Sequence, residues 1–139
     1  MSSVAIFWPV VAQVALTLAI YFVMSKRRIA AVKAGQARAR DFAVPSDPEL
    51  SATAARNVTN QFELPVLFYI ACLAFHQVGA ADLVAVILAW AFVVSRVAHA
   101  WVHLTTNIVI RRRRVFIVGF LVVAVMWIWF AFRIATMAG

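Results

Sequence analysis

The chain has 139 residues, of which 65% are hydrophobic and only 13% charged, too little polar surface for a soluble domain of this size. Each helical crossing of a bilayer takes about 20 apolar residues, so the length allows roughly four spans and no sizeable domain outside the membrane. The net charge of +8 does not indicate nucleic acid as a partner, because Lys and Arg gather in two short segments beside apolar runs, which is the pattern of membrane topology.

The first apolar run, residues 4–24, has no basic residue before it and a Lys/Arg cluster after it. It reads as a retained helix rather than a secretory signal. Gln13, Thr17 and Tyr21 recur every four residues within it, forming one stripe expected to face protein and not lipid. Residues 25–46 carry Lys26, Arg27, Arg28, Lys33, Arg38 and Arg40 and form a surface connection or a helical extension. Asp47-Pro48-Glu49 predicts a helix start, with Asp47 as cap and Pro48 in the first turn.

That second helix is expected over about 48–78, polar in its first half and apolar in its second. Gly79-Ala80-Ala81 makes a short turn, and a third helix covers about 82–106. Four consecutive arginines, residues 111–114, open the last helix, about 111–136, with Arg133 expected to snorkel outward at its far end. The expected fold is an all-α membrane protein, one four-helix transmembrane bundle over residues 1–139. The positive-inside rule assigns both basic segments to the cytoplasm and both termini to the non-cytoplasmic side. The only cysteine, Cys72, excludes an intrachain disulfide and any CxxC motif, and reads as a small apolar packing residue.

The informative residues are those that an apolar bilayer disfavours: Arg56, Asn60 and Glu63 on helix two, and Arg96, His99 and His103 on helix three. Spacings of three and four put each trio on one helix face. Counted from the turn at Ala80, Glu63 matches Arg96 in height, Asn60 matches His99, and Arg56 matches His103. A charged side chain at the bilayer centre costs about 2.5–3.5 kcal/mol on insertion scales, so Glu63 and Arg96 are expected to pair across the hairpin as structural glue. The other four carry an excess of donors and positive charge with no acidic partner, which favours a ligand. His99 and His103 lack a third metal ligand, so no metal site is expected. At the start of helix four, positive charge opposes the helix dipole. An anion held by the free N–H groups there relieves this conflict, with one or two of the arginines turned inward.

These residues resemble the family of membrane-associated proteins in eicosanoid and glutathione metabolism, which includes microsomal glutathione transferases, leukotriene C synthase and microsomal prostaglandin E synthase. The resemblance spans nearly the whole chain. Its most specific part is Arg56-xxx-Asn60-xx-Glu63, preceded by Ser46-Asp47-Pro48 and followed by Leu64-Pro65, with Arg96-xx-His99-xxx-His103 in support. The resemblance implies a homotrimer of four-helix subunits, with glutathione as co-substrate near the cytoplasmic face and a lipophilic small molecule arriving from membrane lipid. It implies Arg112 as the catalytic arginine that holds the sulfur as thiolate. Arg56, Asn60, Glu63 and His99 would line the tripeptide site, and Arg27 and Arg28 fall where helix-one arginines hold its carboxylates. His103 and Arg113 complete the expected binding set.

Two of these positions depart from the family. His103 stands where glutathione-using members often carry tyrosine, and Arg113 stands where prostaglandin E synthase has serine; Thr59 also replaces a second arginine of that enzyme. The departures point away from prostaglandin synthesis and leave open glutathione conjugation or peroxide reduction on hydrophobic electrophiles or lipid hydroperoxides, which the helix-two motif favours. The rival reading is a non-catalytic lipid-binding or scaffold protein of the same family. A small transporter ranks below both, because the sequence has neither broken helices in matching halves nor an internal repeat.

Overall fold

The computed structural model describes residues 3–137. A short 3-10 turn, Ser3–Ile6, leads into α1 (Phe7–Lys33), and a second, Ala39–Ala43, lies in the connection to α2 (Glu49–Asn60). Then follow α3 (Leu64–Gln77), α4 (Leu83–Leu104) and α5 (Val109–Met137). Taken as spans, Val4–Lys33, Glu49–Gln77, Leu83–Leu104 and Val109–Met137 are each long and apolar enough to cross a bilayer. The protein is therefore an integral, multi-pass helical membrane bundle. Helix α4 packs against α1, α2, α3 and α5 and is the central element.

Of the two forms expected for residues 25–46, the first part takes the helical one: α1 runs past residue 24 to Lys33 and ends at Gly35, whose φ of 72° suits a residue without Cβ. At about 1.5 Å per residue, its 27 residues outrun a hydrocarbon core of about 30 Å. Lys26, Arg27, Arg28 and Lys33 therefore ride on a helical extension.

The expected continuous helix over 48–78 is in two pieces. Pro65 has no N–H to donate to the Gln61 carbonyl, and its ring collides with that carbonyl in an unbroken helix. The chain closes α2 with two tight turns instead, from the N–H of Gln61 to the Val58 carbonyl and from the N–H of Phe62 to the Thr59 carbonyl, each 3.0 Å. It restarts with Glu63 as cap and Pro65 in the first turn of α3. Asp47, expected as a cap, makes no capping bond: Pro48 holds that position, and the Asp47 carboxylate accepts from Arg28 Nε at 2.8 Å, Arg28 Nη2 at 2.6 Å and Ser51 Oγ at 2.8 Å.

The bundle divides along its length. Toward the turn at Gly79 the interior is aromatic: Phe68 stacks on Phe92 with ring centroids 4.5 Å apart, and Phe75 meets Phe130 edge-on at 5.1 Å. Asp82 caps α4 by accepting from Ala85 N–H at 2.9 Å, and it also takes the Trp129 indole N–H at 3.1 Å and faces Arg133 at 3.5 Å. Arg133 thus fastens the end of α5 to the start of α4. Farther along the seam the two helices approach closely, since a Cβ on Gly119 would lie 2.9 Å from Ser95 Oγ.

Toward the basic end the interior is polar. Gln13 Nε2 donates to Gln61 Oε1 at 2.9 Å, Gln61 Nε2 donates to Asn57 Oδ1 at 3.2 Å, and Asn57 Nδ2 reaches the Ala100 carbonyl at 3.4 Å. These three residues are fully enclosed and tie α1, α2 and α4 together. Of the expected α1 stripe only Gln13 is buried; Tyr21 is exposed, with its ring against Phe62.

Candidate functional site

The site is built from the end of α2, the second half of α4 and the first turns of α5. Residues 96, 99 and 103 share a face of α4 because three- and four-residue spacings stack side chains on one side of a helix. All three are buried: Arg96 and His103 are 1% exposed and His99 2%. The His99 and His103 rings meet edge-on at 5.6 Å, and His99 also lies 5.9 Å from the Phe116 ring of α5.

Arg96 does not pair with Glu63. Among the described residues no ion pair joins them; Arg96 Nη2 donates to the backbone carbonyl of Asn60 at 3.2 Å. The break after α2 explains the difference, because Glu63 caps α3 in an irregular conformation and faces outward. Arg96 Nε and Nη1 are left without a hydrogen-bond partner, as are His99 Nδ1 and His103 Nδ1. Unsatisfied donors buried in a membrane protein are costly. Their accumulation along one stripe of α4 gives a polar ligand something to satisfy.

The four arginines of α5 are not equivalent. Arg111, Arg113 and Arg114 are exposed, whereas Arg112 is drawn partly inside. Its Nη1 donates to Asn107 Oδ1 at 2.8 Å and lies 3.2 Å from His103 Nε2. A guanidinium only donates, so His103 accepts on Nε2 and carries its proton on Nδ1. Asn107 sits in the link between α4 and α5 with a φ of 46°, a left-handed conformation that asparagine tolerates better than most residues. Its N–H bonds the Val102 carbonyl at 2.8 Å, which aims its side chain at Arg112. Sequence reasoning passed over Asn107, although an Asn between two apolar helices is itself a turn signal. It also missed Asn57 and Gln61, whose four-residue spacing marked a second polar stripe on α2.

Two clefts meet at Arg56 and Asn60. One, of about 320 Å³, is lined by Arg56, Asn60, His99, Arg112, Arg113 and Phe116. The other, of about 710 Å³, runs past Arg28, Arg56, Asn60 and Glu63 to the loop at Phe42. Both volumes fall in the range of about 300–1,000 Å³ usual for small-molecule sites. The smaller cleft has no acidic lining residue, and Glu63 and Asp47 stand only on the larger one. The larger cleft thus offers acceptors for a ligand's ammonium group and the smaller one donors for anionic groups.

Arg28 reaches the larger cleft but is held by Asp47 and lies 5.0 Å from the Phe42 ring centroid. The Asp47 carboxyl, outside the spans, is held below its ordinary value chiefly by the Arg28 hydrogen bonds. Arg27 faces elsewhere: it donates to Thr53 Oγ1 at 2.8 Å and to the Leu104 carbonyl at 2.7 Å, satisfying the end of α4. Among the described residues no group of three His, Cys, Asp or Glu forms around His99 and His103.

A bundle of four membrane-crossing helices, with buried cations and open hydrogen-bond donors gathered at one end, defines an integral membrane protein with a polar cleft beside lipid. The family model of MAPEG matches residues 6–132, and the chain belongs to the MAPEG family. Comparison with curated proteins and with solved structures gives no match. Family membership supports a membrane role related to glutathione or eicosanoid metabolism.

Proposed function

We propose that the protein is a glutathione-dependent transferase or peroxidase acting on hydrophobic electrophiles or lipid hydroperoxides. The observation that carries this reading is the posture of Arg112, drawn inward from a run of exposed arginines and held by His103 and Asn107 in a cleft shared with Arg56, Asn60 and His99. A thiol is nucleophilic at neutral pH only when neighbouring positive charge lowers its pKa, and a fixed guanidinium at a helix N-terminus supplies that charge.

In this reading Arg56 and Arg113 hold glutathione carboxylates, Glu63 takes its ammonium group, and Asn60 and His99 hydrogen-bond its peptide groups. Arg28 contributes from the larger cleft, while Arg27 and His103 brace the frame, His103 by fixing Arg112. The thiolate sulfur attacks the electrophilic carbon of a lipophilic substrate, an S–C bond forms, and the leaving group departs with the electron pair or a double bond is saturated after protonation. With a hydroperoxide, two glutathiones are oxidised to the disulfide while the substrate yields an alcohol and water. Both clefts open at the surface of the single chain, and a homotrimer in which a neighbour covers them gives the water exclusion this chemistry favours. The basic end faces the cytoplasm, and both termini lie on the opposite side.

Glutathione binding to the detergent-solubilised protein, followed calorimetrically, tests the proposal together with conjugation of a generic electrophile. Binding that both Arg56→Ala and Arg112→Ala leave unaltered would reject the site. Absence of any binding would reject the glutathione-dependent reading and favour the non-catalytic, lipid-binding or scaffold one.

A further inference from the structure

The inward turn of Arg112 leaves part of the arginine run unexplained. Arg112 and Arg113 line the smaller polar cleft. Arg114 instead ends a second groove, of about 490 Å³, on the other side of the α4–α5 seam. Three residues apart on one helix, Arg111 and Arg114 share a face, and both are exposed. Among the described residues neither joins a carboxylate.

The groove is almost wholly apolar. Ala91, Val94, Ser95 and Ala98 of α4 line it on one side, and Val115 and Val118 of α5 on the other. It lies beside the close approach of α4 and α5 at Ser95 and Gly119, where α4 contributes the small side chains Ala91, Ser95 and Ala98. Ser95 Oγ is occupied by the Phe92 carbonyl at 2.6 Å, so the trough presents no free polar group below Arg114. At 1.5 Å per residue, the stretch from Ala91 to Ala98 is about 10 Å long. The groove's Arg114 end lies toward the basic end of the bundle, and Ala91 lies toward the middle of α4.

We propose that this groove binds one acyl chain of an anionic phospholipid, with the phosphate held by Arg114 and Arg111. Charge complementarity selects the headgroup: juxtamembrane arginines attract anionic lipid, and here the unpaired Arg114 guanidinium lines an apolar trough, with Arg111 one turn away on the same helix face. The run of four arginines then has two duties, one pair for the polar cleft and one for lipid. The site is independent of glutathione, since it shares no lining residue with either polar cleft.

Native mass spectrometry of the whole protein, exchanged into mixed detergent with equal amounts of dioleoyl phosphatidylglycerol and dioleoyl phosphatidylcholine, tests the assignment. The wild type should retain the anionic lipid preferentially. Arg114→Gln should reduce that preference about fivefold, the effect of one guanidinium near a charged headgroup, while Arg112→Gln leaves it unchanged. Ala98→Trp, which fills the trough, should lower retention of both lipids, and Val118→Trp does so from the α5 side if the first variant fails to fold. Equal effects of Arg112→Gln and Arg114→Gln would overturn the proposal in favour of diffuse attraction to the basic run. Retention untouched by either tryptophan would also overturn it. So would dissociation of an oligomer by those tryptophans, which would make the groove a contact between copies of the chain.

Discussion

The Gln13–Gln61–Asn57 network and the Arg96–His99–His103–Arg112 cluster are neighbours on α2 and α4, yet they leave very different remainders. In the first, neutral amides pass hydrogen bonds from α1 through α2 to α4, and only one acceptor, Gln13 Oε1, is left over. In the second, cationic and imidazole donors outnumber the acceptors around them, and four buried nitrogens on α4 find no partner. Burial alone does not distinguish glue from site, since Gln13, Asn57 and Gln61 are as fully enclosed as Arg96, His99 and His103. What distinguishes them is whether the chain closes its own hydrogen-bond account, because a satisfied network rigidifies a core while an unsatisfied one is stable only with something added.

The largest effect should come from breaking the open cluster where it meets the cleft. Arg112→Ala removes the cation that the proposed mechanism assigns to the sulfur and should lower the conjugation rate at saturating glutathione about 100-fold, the usual scale for losing a preorganised donor to developing charge. Steady-state turnover with a soluble electrophile measures it. A loss below threefold would mean that the sulfur is activated elsewhere. Arg56→Ala comes next. Arg56 is exposed, so folding should be unaffected, while the glutathione Kd rises about tenfold for the loss of a charged hydrogen bond.

Much of this contrast was legible in the sequence, and its limits are instructive. The four spans follow from hydropathy, and the shared face of Arg96, His99 and His103 follows from helical spacing, because both depend only on the chain's own geometry. Counting from Ala80 leads to a Glu63–Arg96 ion pair that does not form among the described residues. Counting assumes a straight helix, and Pro65 breaks it between Asn60 and Leu64, which turns Glu63 outward and leaves Arg96 to a backbone carbonyl. Arg27 and Arg28 are adjacent in sequence and look alike there. On a helix they point about 100° apart, so one closes the end of α4 and the other reaches Asp47.

The closed network makes the opposite prediction to the open one. Gln61→Leu removes the central amide and strands Gln13 and Asn57, which should destabilise the protein by about 1–2 kcal/mol with the glutathione Kd unchanged. Thermal unfolding in detergent and calorimetric binding on the same sample separate the two effects. A fall in affinity comparable to that of Arg56→Ala would erase the distinction between the networks.

The smallest effect sharpens the comparison at its edge, where Asp47 holds Arg28. The Asp47 carboxyl titrates below its ordinary value of 3.8 in the folded protein, chiefly through the Arg28 hydrogen bonds. It therefore binds fewer protons folded than unfolded as the pH falls through that region. Its stabilising contribution is complete above the unfolded value and is lost as the pH drops toward the folded one. Arg28 is 32% exposed, so water screens the pair, and Asp47→Asn should cost less than about 1 kcal/mol at neutral pH. Unfolding curves of wild type and variant should differ by a constant amount from pH 5 to 7 and converge in acid below about 4, the ordinary carboxylate range. A difference that instead widens in acid would show that the Arg28 bonds are not what holds the carboxyl down.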